Sequence, residues 1–127
     1  MTKDNKRRAL VVEDEPVIGR ICTKTLNALG FEVDIATNGL MARDMVRAQA
    51  YDFCLSDIRT PKMNGIEFYQ YLRQEHPRLA NRVIFTSGDV LGSDVKAFLT
   101  KLSKPFLPKP FTPTELRETV KEALTMS

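Results

Sequence analysis

Short apolar runs alternate with segments of helical period from one end of the chain to the other. Ala9-Leu10-Val11-Val12 is continuously apolar, as expected of a strand covered on both faces. Pro16 suits the first turn of a helix. Ile18, Ile21, Cys22, Thr25 and Leu29 then recur at helical spacing until Gly30 stops them. Phe31-Glu32-Val33-Asp34-Ile35 alternates strictly, which predicts a half-buried edge strand. A shorter helix follows Asn38-Gly39 through Ala42, Met45, Val46 and Gln49. Phe53-Cys54-Leu55 is apolar again and reads as a central strand. Gly65, Phe68, Tyr69 and Leu72 mark a third helix, which must stop where His76 precedes Pro77. Val83-Ile84-Phe85 is a fourth strand, and Val95, Phe98, Leu99 and Leu102 mark a fourth helix. Phe106-Leu107 is a short fifth strand between prolines. Thr112-Pro113-Thr114-Glu115 is a capping box, and Leu116, Val120, Ala123 and Leu124 form the stripe of the helix it starts.

Five β/α units predict an α/β fold with a parallel sheet, and right-handed crossovers put helices on both of its faces. The alternating second strand belongs at an edge, and the first and third belong at the centre. That favours the strand order 2-1-3-4-5, a doubly wound sheet whose ligands sit at the carboxyl ends of strands 1 and 3. The 127 residues suit one domain spanning 1–127, with a core over about 7–126 and no output domain.

Composition removes several alternatives. At 43% hydrophobic and 28% charged, the chain is globular rather than disordered. Its apolar runs fall far short of the roughly 20 residues that cross a bilayer. The basic start, Met1 to Arg8, is not followed by an apolar stretch of signal-peptide length. A cytoplasmic protein with no membrane contact is expected. The net charge of +3 comes from 19 basic and 16 acidic residues that are interspersed, apart from the N-terminal run and the Lys101/Lys104/Lys109 region. Direct nucleic-acid binding is not expected from that distribution. Cys22 and Cys54 lie in apolar surroundings without a CxxC and read as buried thiols. His76, the lone histidine, reads as a surface helix end rather than a base or ligand.

The candidate chemistry lies where strands run out. Glu13 and Asp14 follow the first strand, and Asp57 follows Phe53-Cys54-Leu55-Ser56. Thr86 ends Val83-Ile84-Phe85, and Lys109 follows Phe106-Leu107-Pro108. Three clustered carboxylates repel one another unless a cation neutralises them. Mg2+ (or Mn2+) suits such hard oxygen ligands. Asp14 and Asp57 are expected to ligate it directly, Glu13 directly or through water, and Arg59 through its backbone carbonyl. Asp57, ending the central strand, is the expected nucleophile for a phosphoryl group, which would give an acyl phosphate. Lys109 would act as a point charge on one phosphoryl oxygen and Thr86 would donate to another. The small Ser87 and Gly88 leave room for the donor.

These residues resemble the receiver domain of two-component response regulators, including the single-domain chemotaxis regulators. Val11-Val12-Glu13-Asp14-Glu15-Pro16 is similar to the acidic metal-binding motif of that family. Asp57-Ile58-Arg59-Thr60-Pro61-Lys62-Met63-Asn64-Gly65 is similar to its phosphoacceptor segment, and Phe85-Thr86-Ser87-Gly88-Asp89 to its switch segment. Phe106 occupies the aromatic switch position, and Lys109-Pro110-Phe111 the lysine motif, for which the resemblance implies a cis Lys109-Pro110 bond. The fold implied is flavodoxin-like (βα)5. The activity implied is transfer of a phosphoryl group from a phosphohistidine to Asp57. A sensor histidine kinase or a histidine phosphotransfer domain would supply it. Thr86 then moves toward the phosphoryl group and Phe106 follows, which shifts the face of the fourth helix, fifth strand and fifth helix toward a downstream partner. Thr86, Val95, Phe106, Lys109 and residues near Arg117 bear on that face. The protein would be a monomer or a weak dimer through it, and not an enzyme beyond its own phosphorylation and dephosphorylation.

Glu13 stands for the commoner Asp, Thr60 for Met and Phe106 for Tyr; Arg59 and Gly88 bear on the phosphoryl lifetime. The segments around Thr86 and Lys109 look like receivers at the end of hybrid sensor kinases, whose parent protein would be a histidine kinase. Three rival readings fit these residues less well. An aspartyl-phosphate hydrolase of the haloacid dehalogenase type wants a second Asp where Arg59 stands. A flavodoxin-like cofactor binder wants a phosphate-cradling loop where Glu13-Asp14-Glu15 would repel phosphate. A degenerate receiver serving as a phosphorylation-independent scaffold usually lacks one of the residues kept here.

Overall fold

The computed structural model describes residues 7–88 and 92–126. Asp89 and the first six residues of the basic N-terminal run lie outside the described residues. The chain forms β1 (Arg7–Val12), α1 (Pro16–Ala28), β2 (Phe31–Ala36), α2 (Gly39–Ala48), β3 (Phe53–Asp57) and α3 (Gly65–Glu75). It continues through α4 (Pro77–Ala80), β4 (Val83–Ser87), α5 (Ser93–Leu102), β5 (Phe106–Pro108) and α6 (Pro113–Met126). All five strands are parallel, in the order β2-β1-β3-β4-β5.

Alternation along the central strands divides the core. Leu10, Val12, Cys54 and Phe85 point to one face, where Ala42 and Val46 of α2 and Phe68, Tyr69 and Leu72 of α3 cover them. Val95, Phe98, Leu99 and Leu102 of α5 are half-buried against the same cluster. Ala9, Val11, Phe53, Leu55 and Ile84 point to the other face, under Cys22 and Leu26 of α1 and Leu116, Val120 and Ala123 of α6. Burial on both faces is why Ala9–Val12 of β1, Phe53–Leu55 of β3 and Val83–Phe85 of β4 read as unbroken apolar runs. Phe31–Ala36 lies at the edge, with Glu32 exposed and Val33, Asp34 and Ile35 half-buried. Both cysteines are free and buried, and burial pushes the Cys22 thiol up to about 12.

Local signals set the element ends. Pro16 opens α1, and Gly30 follows it at φ +97, a conformation that costs glycine little. The Thr112–Glu115 capping box is closed in both directions, at 3.0 and 2.8 Å. Asn64 and Glu67 form a second one at the start of α3, which the apolar pattern alone did not announce. Two boundaries differ from expectation. Pro77 does end α3, but it also opens the one-turn α4, because proline is disfavoured inside a helix and favoured at its first position. β4 runs to Ser87, so Thr86 is its penultimate residue rather than its last.

Candidate functional site

Glu13 extends the β1 ladder by one bond, its N–H donating to the Ala36 carbonyl at 2.8 Å. Its side chain is buried, whereas Asp14 is exposed. Asp57 is the last residue of β3 and is also buried. One carboxylate oxygen from each of Glu13, Asp14 and Asp57 lies within 4.8 Å of the other two. Thr86 is the direct neighbour of Asp57 across the β3–β4 register. Lys109 is placed by β5, because its N–H donates to the Ser87 carbonyl at 3.0 Å and carries the pairing with β4 one residue further. The Lys109-Pro110 bond is cis, as expected.

The Lys109 ammonium meets Asp57 Oδ2 at 2.8 Å and both oxygens of Glu13, at 2.9 and 3.1 Å. Its third partner is Glu15 Oε1 at 3.0 Å. Burial alone lowers this ammonium, but hydrogen bonds to Asp57, Glu13 and Glu15 outweigh it and hold Lys109 well above the ordinary lysine value. Burial raises the Glu13 carboxyl; hydrogen bonds from Lys109 and the Glu15 N–H offset part of that rise, while the nearby Asp57 charge adds to it.

The loop after β3 is held against the site. The Arg59 N–H donates to Asp57 Oδ1 at 3.0 Å, and the Ile58 N–H donates to the Thr86 carbonyl at 2.9 Å. The Gly65 N–H returns to the Ile58 carbonyl at 3.0 Å. A Cβ on Gly65 would lie 2.5 Å from the Asp57 carbonyl oxygen, so only glycine lets α3 start this close to β3. Thr60 Oγ1, at a buried position, donates to the Met63 carbonyl at 3.0 Å.

A cavity of about 550 Å3 opens over these groups, lined in part by Asp14, Asp57, Arg59, Gly88 and Lys109. Gly88 leaves it open beside the Lys109 stem, since a Cβ there would stand 3.4 Å from the Lys109 Cβ. Thr86 Oγ1 is buried and finds no hydrogen-bond partner among the described residues. A buried hydroxyl without a partner is costly.

The five sequence-predicted residues Glu13, Asp14, Asp57, Thr86 and Lys109 are therefore brought to one sheet edge. Arg59 presents its N–H to Asp57 at the rim. Phe106 is not among them: it pairs in register with Phe85 and is half-buried against the α3 and α5 side of the core. His76 caps the far end of α3, against the Tyr71 hydroxyl at 3.2 Å. Glu15 was not singled out from the sequence. Its signal was its place two residues after Glu13 and directly before Pro16, where the backbone is driven extended and the side chain turns back over the strand ends.

The model of the response regulator receiver domain family matches residues 9–121. The chain belongs to that family. It is 33% identical over 122 residues to the response regulator protein PilR of Pseudomonas aeruginosa, covering 96% of this chain and 27% of PilR. It is 32% identical over 117 residues to the sensor kinase CckA of Brucella abortus, covering 91% of this chain and 12% of CckA. The chain thus spans about a quarter of the first of these relatives and about an eighth of the second. Among solved structures, a CheY-like receiver domain protein from Methanospirillum hungatei superposes with a TM-score of 0.85 at 24% identity, covering 95% of each chain. This receiver domain accordingly has the two-component signalling fold, with a Glu–Asp–Asp cluster where receiver domains bind magnesium. No helix among the described residues is long and apolar enough to cross a membrane.

Proposed function

We propose that this receiver domain accepts a phosphoryl group on Asp57 from the phosphohistidine of a sensor histidine kinase or histidine phosphotransfer domain. One observation carries the reading: the Asp57 carboxylate sits between a Lys109 ammonium and, one strand away, a buried Thr86 hydroxyl without a partner among the described residues. The donor set fits a hard divalent cation, because three carboxylate oxygens converge within 4.8 Å and Glu13 is buried among them. Glu13, Asp14, Asp57 and the Arg59 carbonyl would hold Mg2+ or Mn2+. When bound, that ion neutralises charge developing on the transferring phosphoryl oxygens.

The residues divide the remaining work. An Asp57 oxygen attacks phosphorus as the phosphorus–nitrogen bond to the imidazole breaks. The departing nitrogen keeps the bonding pair, and Asp57 becomes an acyl phosphate. The Arg59 N–H fixes the carboxylate plane through Oδ1. Lys109 transfers a donor from a carboxylate to a phosphoryl oxygen. Thr86 Oγ1 gains the hydrogen-bond partner it lacks, which draws the end of β4 toward the site. Phe106 lies between that strand and α5, so its ring follows into the vacated space. The shift is read by a downstream protein at the α5–β5–α6 face, around Val95, Phe106 and Arg117, where a weak dimer would also form.

The test is incubation with acetyl phosphate and magnesium followed by intact mass measurement. The wild type is expected to gain one phosphoryl group, and Asp57→Asn and a metal-free sample none. A folded, magnesium-binding wild type that gains nothing would reduce the domain to a protein-binding scaffold.

A further inference from the structure

Glu15 is the one carboxylate on Lys109 that the phosphoacceptor reading leaves without a task. Its side chain is 62% exposed, against 1% for Glu13 and 5% for Asp57. Its backbone is nonetheless fixed. The Glu15 N–H donates to Glu13 Oε2 at 3.1 Å, and Pro16 at the first position of α1 keeps Glu15 extended. The carboxylate is thereby delivered to the third N–H of an ammonium whose other donors face Asp57 and Glu13.

An ammonium has three donors. In the resting protein all three are engaged, so a phosphoryl oxygen can be bound only when one carboxylate lets go. Releasing Glu13 or Asp57 would leave a buried charge without its partner, which is expensive. Releasing Glu15 returns an exposed carboxylate to water, which costs little. Water therefore decides which partner leaves.

We propose that Glu15 is a positioning residue that parks the Lys109 ammonium in the resting state and competes with the incoming phosphoryl group for it. The inference rests on the phosphoacceptor reading. It sets a threshold on phosphoryl binding through Lys109, not through the metal ligands.

The experiment titrates beryllium fluoride, a phosphoryl mimic, into the magnesium-loaded full chain and follows backbone amide NMR signals. Wild type is compared with Glu15→Gln, which keeps the shape and loses the charge, and with Glu15→Asp, which keeps the charge and loses the reach. Both variants are expected to bind the mimic about two- to fivefold more tightly, the size of one exposed carboxylate–ammonium pair. In the metal-free protein, the Lys109 ammonium protons, seen with 15N-labelled lysine, should exchange faster with water in both variants. Tighter binding in Glu15→Gln alone would mean that only the field of the charge acts, and would overturn the proposal. So would unchanged or weaker binding in both. If wild type itself fails to bind the mimic while magnesium still shifts its spectrum, the phosphoacceptor reading falls, and this one with it.

Discussion

Thr86 carries its hydroxyl in a place where none of the described residues uses it. The residue is 1% exposed and its Oγ1 has no partner among the described residues. A Thr to Val exchange ordinarily costs stability because the hydroxyl is lost. Here the lost group makes no hydrogen bond, so the usual sign reverses. Thr86→Val is expected to stabilise the unphosphorylated protein by about 1 kcal/mol, the low end of the cost of a buried unpaired hydroxyl. Urea unfolding at equal m-value checks this. The same variant should respond less to beryllium fluoride, with smaller shifts in amide signals of Val95 and Arg117 than in wild type. A destabilised variant with an intact response would show that the hydroxyl is already used at rest.

α3 must start within one residue's reach of the end of β3, and Gly65 makes that approach. Gly65→Ala would put a Cβ 2.5 Å from the Asp57 carbonyl oxygen and 2.8 Å from the Ile58 Cα. Backbone cannot swing aside as a side chain can, so overpacking of about 1–3 kcal/mol is expected. The displaced group is the Asp57 backbone itself, so magnesium affinity should fall as well; calorimetric titration of the metal against a thermal melt separates the two effects. A variant that loses stability but binds metal normally would place the strain elsewhere. At this scale the sequence was readable where one physical signal dominated. Two-sided burial gave β1, β3 and β4 the apolar runs Ala9–Val12, Phe53–Leu55 and Val83–Phe85, and the alternation of Phe31–Ile35 put β2 at the edge. It was less readable where one residue serves two elements. Pro77 both ends α3 and opens α4, and only the first role follows from a break in the helical pattern. The convergence of Glu13, Asp14, Asp57, Thr86 and Lys109 was legible because each stands at or next to the end of a strand. Glu15 was not, because it belongs to a helix start and reaches Lys109 only through a contact 94 residues away in sequence.

Taken as a whole, the molecule gathers negative charge at one sheet edge and balances it with one ammonium, and its stability should register that arrangement. The Glu13 carboxyl titrates higher in the folded protein than its ordinary value of 4.5, chiefly because it is buried. The folded state therefore holds the Glu13 proton more firmly than the unfolded chain does. That contribution to stability is complete below about pH 4.5 and is lost as pH rises through the folded value. Lys109 is raised too, so its contribution is complete below 10.5 and is lost only in more alkaline solution. Above the ordinary glutamate value and below 10.5 the ammonium is constant, and the ionised Glu13 is the growing cost. A divalent cation binds only the deprotonated carboxylates, so its stabilisation must grow across the same window. Magnesium at roughly a hundred times its Kd adds about 2.7 kcal/mol to a protein that binds it only when folded. The expected result is a magnesium-dependent rise in Tm that is small at pH 5 and larger at pH 8, measured by calorimetry against a chelator-treated sample. Glu13→Gln should narrow the difference between the two pH values, because it removes the group whose ionisation drives it. An equal rise at both pH values would mean that the buried glutamate is already ionised at pH 5, and that Lys109 balances the edge more completely than the burial of Glu13 implies.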